Sequence, residues 1–169
     1  MAPMIALEFA SGDGSEERDT TPLSYSEVGQ AQRPGKFWVY ERIMRIPFYG
    51  IYEINSGRLE VYNLNNGFYQ QLLPNDRGHY PIAPMGVELG LWQGSYQNQT
   101  MLWLRWWDSE GNLLLTGTER ASLAEQALSA EAQARRDAIP RLLAMGLNTQ
   151  QVAEALGLSV EEVSQHSQS

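Results

Sequence analysis

Met4-Ile5-Ala6-Leu7-Glu8-Phe9 is the stretch on which the fold reading turns. Met4 through Leu7 are apolar without a break, the pattern of a β-strand covered on both faces, and Glu8 ends the run on a carboxylate. A small, polar loop follows, Ala10-Ser-Gly-Asp-Gly14. A strand of this kind delivers an acid to the mouth of a sheet, where a cation on the next helix can fold back over it. Carboxylate plus lysine at a sheet edge is the minimum kit for metal-assisted phosphodiester hydrolysis. The alternative is a Glu8 that simply exits to solvent.

Downstream, Pro34-Gly35 punctuates a helix, Lys36-Phe-Trp-Val-Tyr40-Glu-Arg-Ile43-Met44-Arg45, in which Phe37, Tyr40 and Met44 fall at helical spacing on one buried face. Pro47 ends it, and Phe48-Tyr-Gly-Ile-Tyr-Glu53-Ile54 reads as the next strand. Strand, helix, strand is a right-handed βαβ unit. It places Glu8 near the first turn of the helix, where Lys36 can act. Between them, Ser11 to Gly35 is a long polar connection, acidic at first (Asp13, Glu16, Glu17, Asp19, relieved by Arg18). Connections of this length are usually functional or disordered, and a partly ordered loop over the site is expected, with a solvated acidic loop as the alternative.

Further along, Arg58-Leu-Glu-Val-Tyr-Asn-Leu64 and Phe68-Tyr-Gln-Gln-Leu-Leu73 form a hairpin across Asn65-Asn66-Gly67. Val87 to Trp92 is a short strand. Met101 to Trp107 and Asn112 to Thr116 are expected to pair across Asp108-Ser-Glu-Gly111. The Trp residues here suggest an aromatic cluster, with packing favoured over a sugar or nucleobase platform.

From Thr118 the composition shifts to Ala, Glu, Gln and Arg, so residues 1–117 and 118–169 are read as a domain and a helical tail. Ser122-Leu-Ala-Glu125 is a capping box expected to open a helix toward Ile139, which Pro140 should kink or restart. The end, Asn148 to Leu156 and Ser159 to Gln165, is similar to a helix-turn-helix. Its last helix carries Glu161 and Glu162 and no Lys or Arg, which argues for packing or oligomerisation rather than base reading.

Composition sets the bounds. A 169-residue chain with 43% hydrophobic residues can build one real core. Without Cys, and with only two His, thiolate chemistry and Cys- or His-rich metal sites are excluded. A net charge of -8 opposes non-specific binding to a phosphate backbone, so a nucleic-acid role needs a few local cations and divalent metal. With no signal or membrane-spanning run, a cytoplasmic, non-membrane protein is expected, and the Asn98-Gln-Thr100 sequon is read as a chance match. The abrupt start at Met1-Ala-Pro3 suggests a truncated chain or a sheet completed by another copy.

Pro3-Met-Ile-Ala-Leu-Glu8-Phe-Ala-Ser11, Asp19, Gly35-Lys36-Phe-Trp-Val-Tyr40-Glu41, Phe48 to Glu53, Leu59 to Leu64 and Pro81 to Leu89 occur in one order. In that order, from Pro3 to about Gly117, the chain resembles the Uma-type endonucleases, a bacterial family in the restriction-endonuclease-like PD-(D/E)XK superfamily. The resemblance implies an α/β fold: a restriction-endonuclease-like mixed sheet with a βαβ core, extra β-hairpins and a C-terminal helical tail. It implies a hydrolase acting on DNA phosphodiester bonds with Mg²⁺ or Mn²⁺. Carried over, Glu8 is a metal-binding acid, Lys36 the displaced lysine of the motif, and Tyr40 a further contact. The main-chain carbonyl of Phe9 is a second metal oxygen. The family's Asp at the head of the strand is Met4 here, and its upstream strand is absent. Two alternatives stay open: a non-catalytic interaction protein that keeps the fold and forms homo-oligomers through its tail, and a DNA-binding regulator using the C-terminal helices.

Overall fold

The computed structural model describes residues 3–25 and 29–166, so Met1 and Ala2 of the abrupt start lie outside the described residues. Two compact units divide the chain, Met1–Leu114 and Leu115–Ser169.

In the first unit, β1 (Ile5–Ala10) runs parallel to β4 (Phe48–Glu53), with Glu8 opposite Ile51. The two are joined through a short antiparallel pair, β2 (Ser24–Tyr25) and β3 (Ala31–Gln32), and then α1 (Lys36–Trp38). This is the expected βαβ core. β5 (Arg58–Asn65) and β6 (Phe68–Gln71) continue the sheet antiparallel, in the order β1-β4-β5-β6. The strand covered on both faces is β4, buried at all six residues: β1 and β5 flank it, Phe37 and Tyr40 pack on Tyr49, and Ile82 and Leu89 pack with Phe48 and Tyr52. β1 itself is an edge strand and only half-buried, which corrects the expectation drawn from its apolar run. Gly50, mid-strand in β4, is needed for close approach: a Cβ there would lie 2.6 Å from Leu7 Cδ2.

The helix departs from simple α geometry. After Trp38 it widens into a π-helical stretch, Val39–Met44, where the Arg45 N–H reaches back to the Tyr40 carbonyl. The wider turn breaks the expected 3.6-residue spacing. Phe37 and Tyr40 face the sheet, their rings 5.7 and 4.9 Å from that of Tyr49, while Met44 is left 47% exposed. Arg45, in the left-handed conformation (φ 51°), ends the element two residues before Pro47.

A second sheet, antiparallel, has the order β7 (Tyr80–Ile82), β8 (Val87–Tyr96), β9 (Gln99–Asp108). Ile82 and Leu89 from it pack with Phe48, Tyr52, Leu59 and Val61 as the core of this unit. Asn66 and Gly67 (φ 50° and 85°) make the predicted turn between β5 and β6. The other hairpin differs from the reading. β8 and β9 pair over ten residues each across Gln97 and Asn98, both at positive φ. Nothing in a Gln-Asn pair demanded that turn. Asp108 to Gly111 does reverse the chain, but residues 112–116 form only an isolated bridge, Trp107 to Leu113, in place of a strand.

The second unit is helical: α2 (Gly117–Ala144), α3 (Thr149–Leu156) and α4 (Val160–His166), closed around Ile139, Val152, Ala153 and Val163. α2 starts earlier than expected. Thr116 accepts from the Glu119 N–H at 3.2 Å and Glu119 accepts from the Thr116 N–H at 2.7 Å, so the cap is satisfied before Ser122 is reached. α2 also runs through Pro140 without ending there. Among the described residues no helix is long and apolar enough to cross a membrane.

Candidate functional site

Register and helix docking decide where Glu8 points. Alternation along β1 puts Glu8 on the face that carries Tyr49 and Ile51, under α1. Its two oxygens are both engaged. Tyr40 Oη donates to Oε1 at 2.6 Å, and Lys36 Nζ donates to Oε2 at 3.3 Å. Glu8, Lys36 and Tyr40 are therefore brought together. Phe9 stands differently: its ring is 56% exposed and edge-on to Tyr52. The carbonyls of Met4 and Ala10 accept from the N–H groups of Phe48, at the start of β4, and Ile54, just past its end. By alternation the carbonyl of Phe9 faces the outer edge of the sheet.

A fourth group completes the cluster. Glu17 Oε1 accepts from the same ammonium at 3.0 Å, closer than Glu8 does. Glu17 is only 9% exposed. Its own carbonyl accepts from the buried Tyr49 hydroxyl at 2.9 Å, which fastens the acidic loop to β4. Next along, the Arg18 guanidinium forks onto Glu53 (2.5 Å) and Glu60 (2.8 Å). The loop is thus an ordered cover over the strand end. Gly35 allows its contact with the helix, since a Cβ there would lie 2.1 Å from the Asp19 carbonyl oxygen. The Asp19 carboxylate accepts from the Thr21 N–H (2.8 Å) and hydroxyl (2.5 Å).

The local charges settle what these groups can do. Hydrogen bonding to Glu17 first, then to Glu8, pushes the Lys36 ammonium above its ordinary 10.5 against the opposing effect of burial. It therefore stays charged at neutral pH and serves as a fixed cation, not as a base. The bond to Glu8 and then burial push the Tyr40 phenol up, which keeps it a donor. Behind it, burial raises Tyr49 strongly and Tyr62 to about 12, so the aromatic floor of the site is neutral.

Two features were not singled out from sequence. Glu17 sat in an acidic run with nothing to distinguish it from Glu16. A readable signal was available at Lys36: it is the single lysine of the chain, the other basic residues all being arginine. A compact ammonium at that position, where the chain otherwise uses forked guanidiniums, points to a site needing a point charge. Met4 lies just before β1, and its carbonyl accepts from the Phe48 N–H at 3.1 Å.

Two shallow cavities flank Glu16. One, about 260 Å³, runs from Phe9 along Ser11 to Glu17, and the other, about 200 Å³, lies among Asp19, Arg33 and Lys36. The donors on this side, carboxylate and carbonyl oxygens, are the hard type that Mg²⁺ or Mn²⁺ accepts. No group of three or more His, Cys, Asp or Glu side chains able to hold a metal occurs among the described residues. A family model, Uma2, described as "Putative restriction endonuclease", matches residues 1–101. Comparison with curated proteins and with solved structures gives no significant match.

Proposed function

The chain belongs to the Uma2 restriction-endonuclease family, and from that premise we propose that it hydrolyses DNA phosphodiester bonds with a divalent ion, Mg²⁺ or Mn²⁺, at the outer end of β1. The observation that supports this reading is one ammonium, Lys36, 3.3 Å from a carboxylate on the parallel strand β1, two residues before its end, with Tyr40 on the other oxygen of that carboxylate. Glu8 and the Phe9 carbonyl would hold the ion. When bound, it supplies Lewis-acid charge and a water of lowered pKa at the phosphate. Tyr40 fixes the rotamer of Glu8 by its donated bond. Lys36, permanently charged, steadies the negative charge that develops on the phosphate oxygens. The two half-open cavities leave room on either side for a strand of nucleic acid.

The test is nicking of supercoiled plasmid in Mg²⁺ or Mn²⁺. Nicking that is lost in Glu8→Gln and in Lys36→Ala is expected; unchanged nicking in both variants removes this site. A second reading, a protein that keeps the fold as an interaction module without hydrolysis, is favoured by the lack of a three-ligand acidic or imidazole cluster among the described residues. Absence of nicking with either metal, together with a dimer by light scattering, would support it.

A further inference from the structure

We propose that Glu17 is a positioning residue that retains Lys36 at the site when Glu8 is taken by a cation. This inference goes beyond the hydrolytic reading by giving the acidic loop a task, and it rests on that reading only for the identity of the cation.

The argument is one of competition. Glu8 Oε2 accepts from Lys36 at 3.3 Å, and the other oxygen is held by Tyr40 at 2.6 Å. A metal ion that engages Glu8 draws on the same carboxylate charge and repels the ammonium beside it, which weakens the hold of Oε2 on Lys36. Left with Glu8 as its only partner, a long, four-carbon side chain 35% exposed would then swing into solvent. Glu17 prevents this. It lies 3.0 Å from the ammonium, closer than Glu8, and its side chain is less exposed (12%) than that of Glu8 (22%). Its backbone cannot drift, because its carbonyl is bonded to Tyr49 and the next residue, Arg18, is clamped onto Glu53 and Glu60. Glu8 is thus the partner that can be lost, and Glu17 the partner that remains.

Because Lys36 is the single lysine, selective ¹³C labelling of lysine gives one side-chain signal to follow. A held side chain gives a displaced Cε–Hε signal, and a released one gives the free-lysine value. Glu8→Gln, measured without metal, removes the carboxylate charge much as a bound cation does. Lys36 is expected to stay displaced in Glu8→Gln and to fall to the free-lysine value in Glu8→Gln/Glu17→Gln. Release already in Glu8→Gln, or retention in the double variant, overturns the proposal. The fate of the hydrolytic reading is read separately: Mn²⁺ should broaden the wild-type lysine signal by its proximity. An unbroadened signal removes the metal reading, while the metal-free variants still decide the role of Glu17. Where nicking is present, Glu17→Gln is expected to lower kcat about 10²-fold with KM for DNA little changed. An equal loss in Glu17→Gln made in a Lys36→Ala background would overturn a role acting through Lys36.

Discussion

Two neighbouring loop residues, Glu17 and Arg18, each complete an ion cluster on the same face of the sheet, and the clusters are built for opposite ends. At Arg18 a forked guanidinium meets Glu53 and Glu60, which are 7% and 4% exposed, and Arg58 and Tyr62 also donate to Glu60. Burial raises the Glu60 carboxyl, but bonds from Arg18 and Tyr62 outweigh it and hold the group below its ordinary 4.5. At Glu17 a single ammonium is shared between two acids on longer bonds of 3.0 and 3.3 Å. The first cluster is a staple in which planar geometry fixes everything. In the proposed reading the second is an exchangeable charge, on a side chain 35% exposed. If that reading holds, the difference between guanidinium and ammonium separates a structural contact from a working one.

The largest expected effect would break the comparison outright. Glu8→Gln and Lys36→Ala should each lower plasmid nicking by about 10²–10³-fold, as loss of one pre-placed charge does. Arg18→Met should leave the intrinsic chemistry of Glu8 and Lys36 in place but destabilise the fold. It strands Glu60 with only Arg58 and Tyr62. A broken buried pair costs about 3–5 kcal/mol, and the partly exposed Arg18 puts the loss at the low end of that range, about 3 kcal/mol. Urea denaturation measures it.

The same variant has a pH signature. Because the folded-state value of Glu60 is depressed, its contribution is fully present above 4.5 and is lost as pH falls through the folded value. Arg18→Met should therefore raise the midpoint of acid unfolding. A midpoint that does not move means the Arg18 staple contributes no linked stability.

Gly35→Ala falls between the clusters. The added Cβ, 2.1 Å from the Asp19 carbonyl oxygen, must push the loop and the start of α1 apart. A loss of about 2 kcal/mol is expected from the overpacking, with nicking reduced because Lys36 is the next residue. Stability that falls without any change in nicking would show that the loop contact matters to the fold alone.

How much of this could be read from residues follows from the range of the forces involved. The βαβ order, the Asn-Gly hairpin and the meeting of Glu8, Lys36 and Tyr40 rest on local patterning and a handedness rule, and these were legible. Burial was not: Met4 to Leu7 looks like a central strand, yet it is β4 that is covered, because the neighbours of a strand are a long-range fact. The π-helical stretch after Trp38 hides in an ordinary amphipathic pattern. The Gln97-Asn98 turn lacks a glycine to announce it. Glu17 was invisible for a related reason. One acid among four in a loop is chosen by where Tyr49 and Arg18 anchor the chain, and both anchors reach across more than thirty residues.

The smallest predicted effect is the sharpest on the comparison. Lys36→Met removes the shared cation and leaves Glu8 and Glu17 to repel each other, so a stabilising staple would fail badly there. The ammonium is over a third exposed, and solvent screens such pairs, so a stability loss below about 1 kcal/mol is expected. The loss should shrink further as salt rises. The sign of the pH dependence also opposes that of Glu60. Lys36 is raised above 10.5 when folded, so its contribution is present below that value and disappears as pH rises through the folded value. Near neutral pH the variant should then fold almost as well as wild type while losing nicking. A loss of Arg18 magnitude on urea denaturation would mean that Lys36 is a second staple, and the distinction between the two clusters would fall with it.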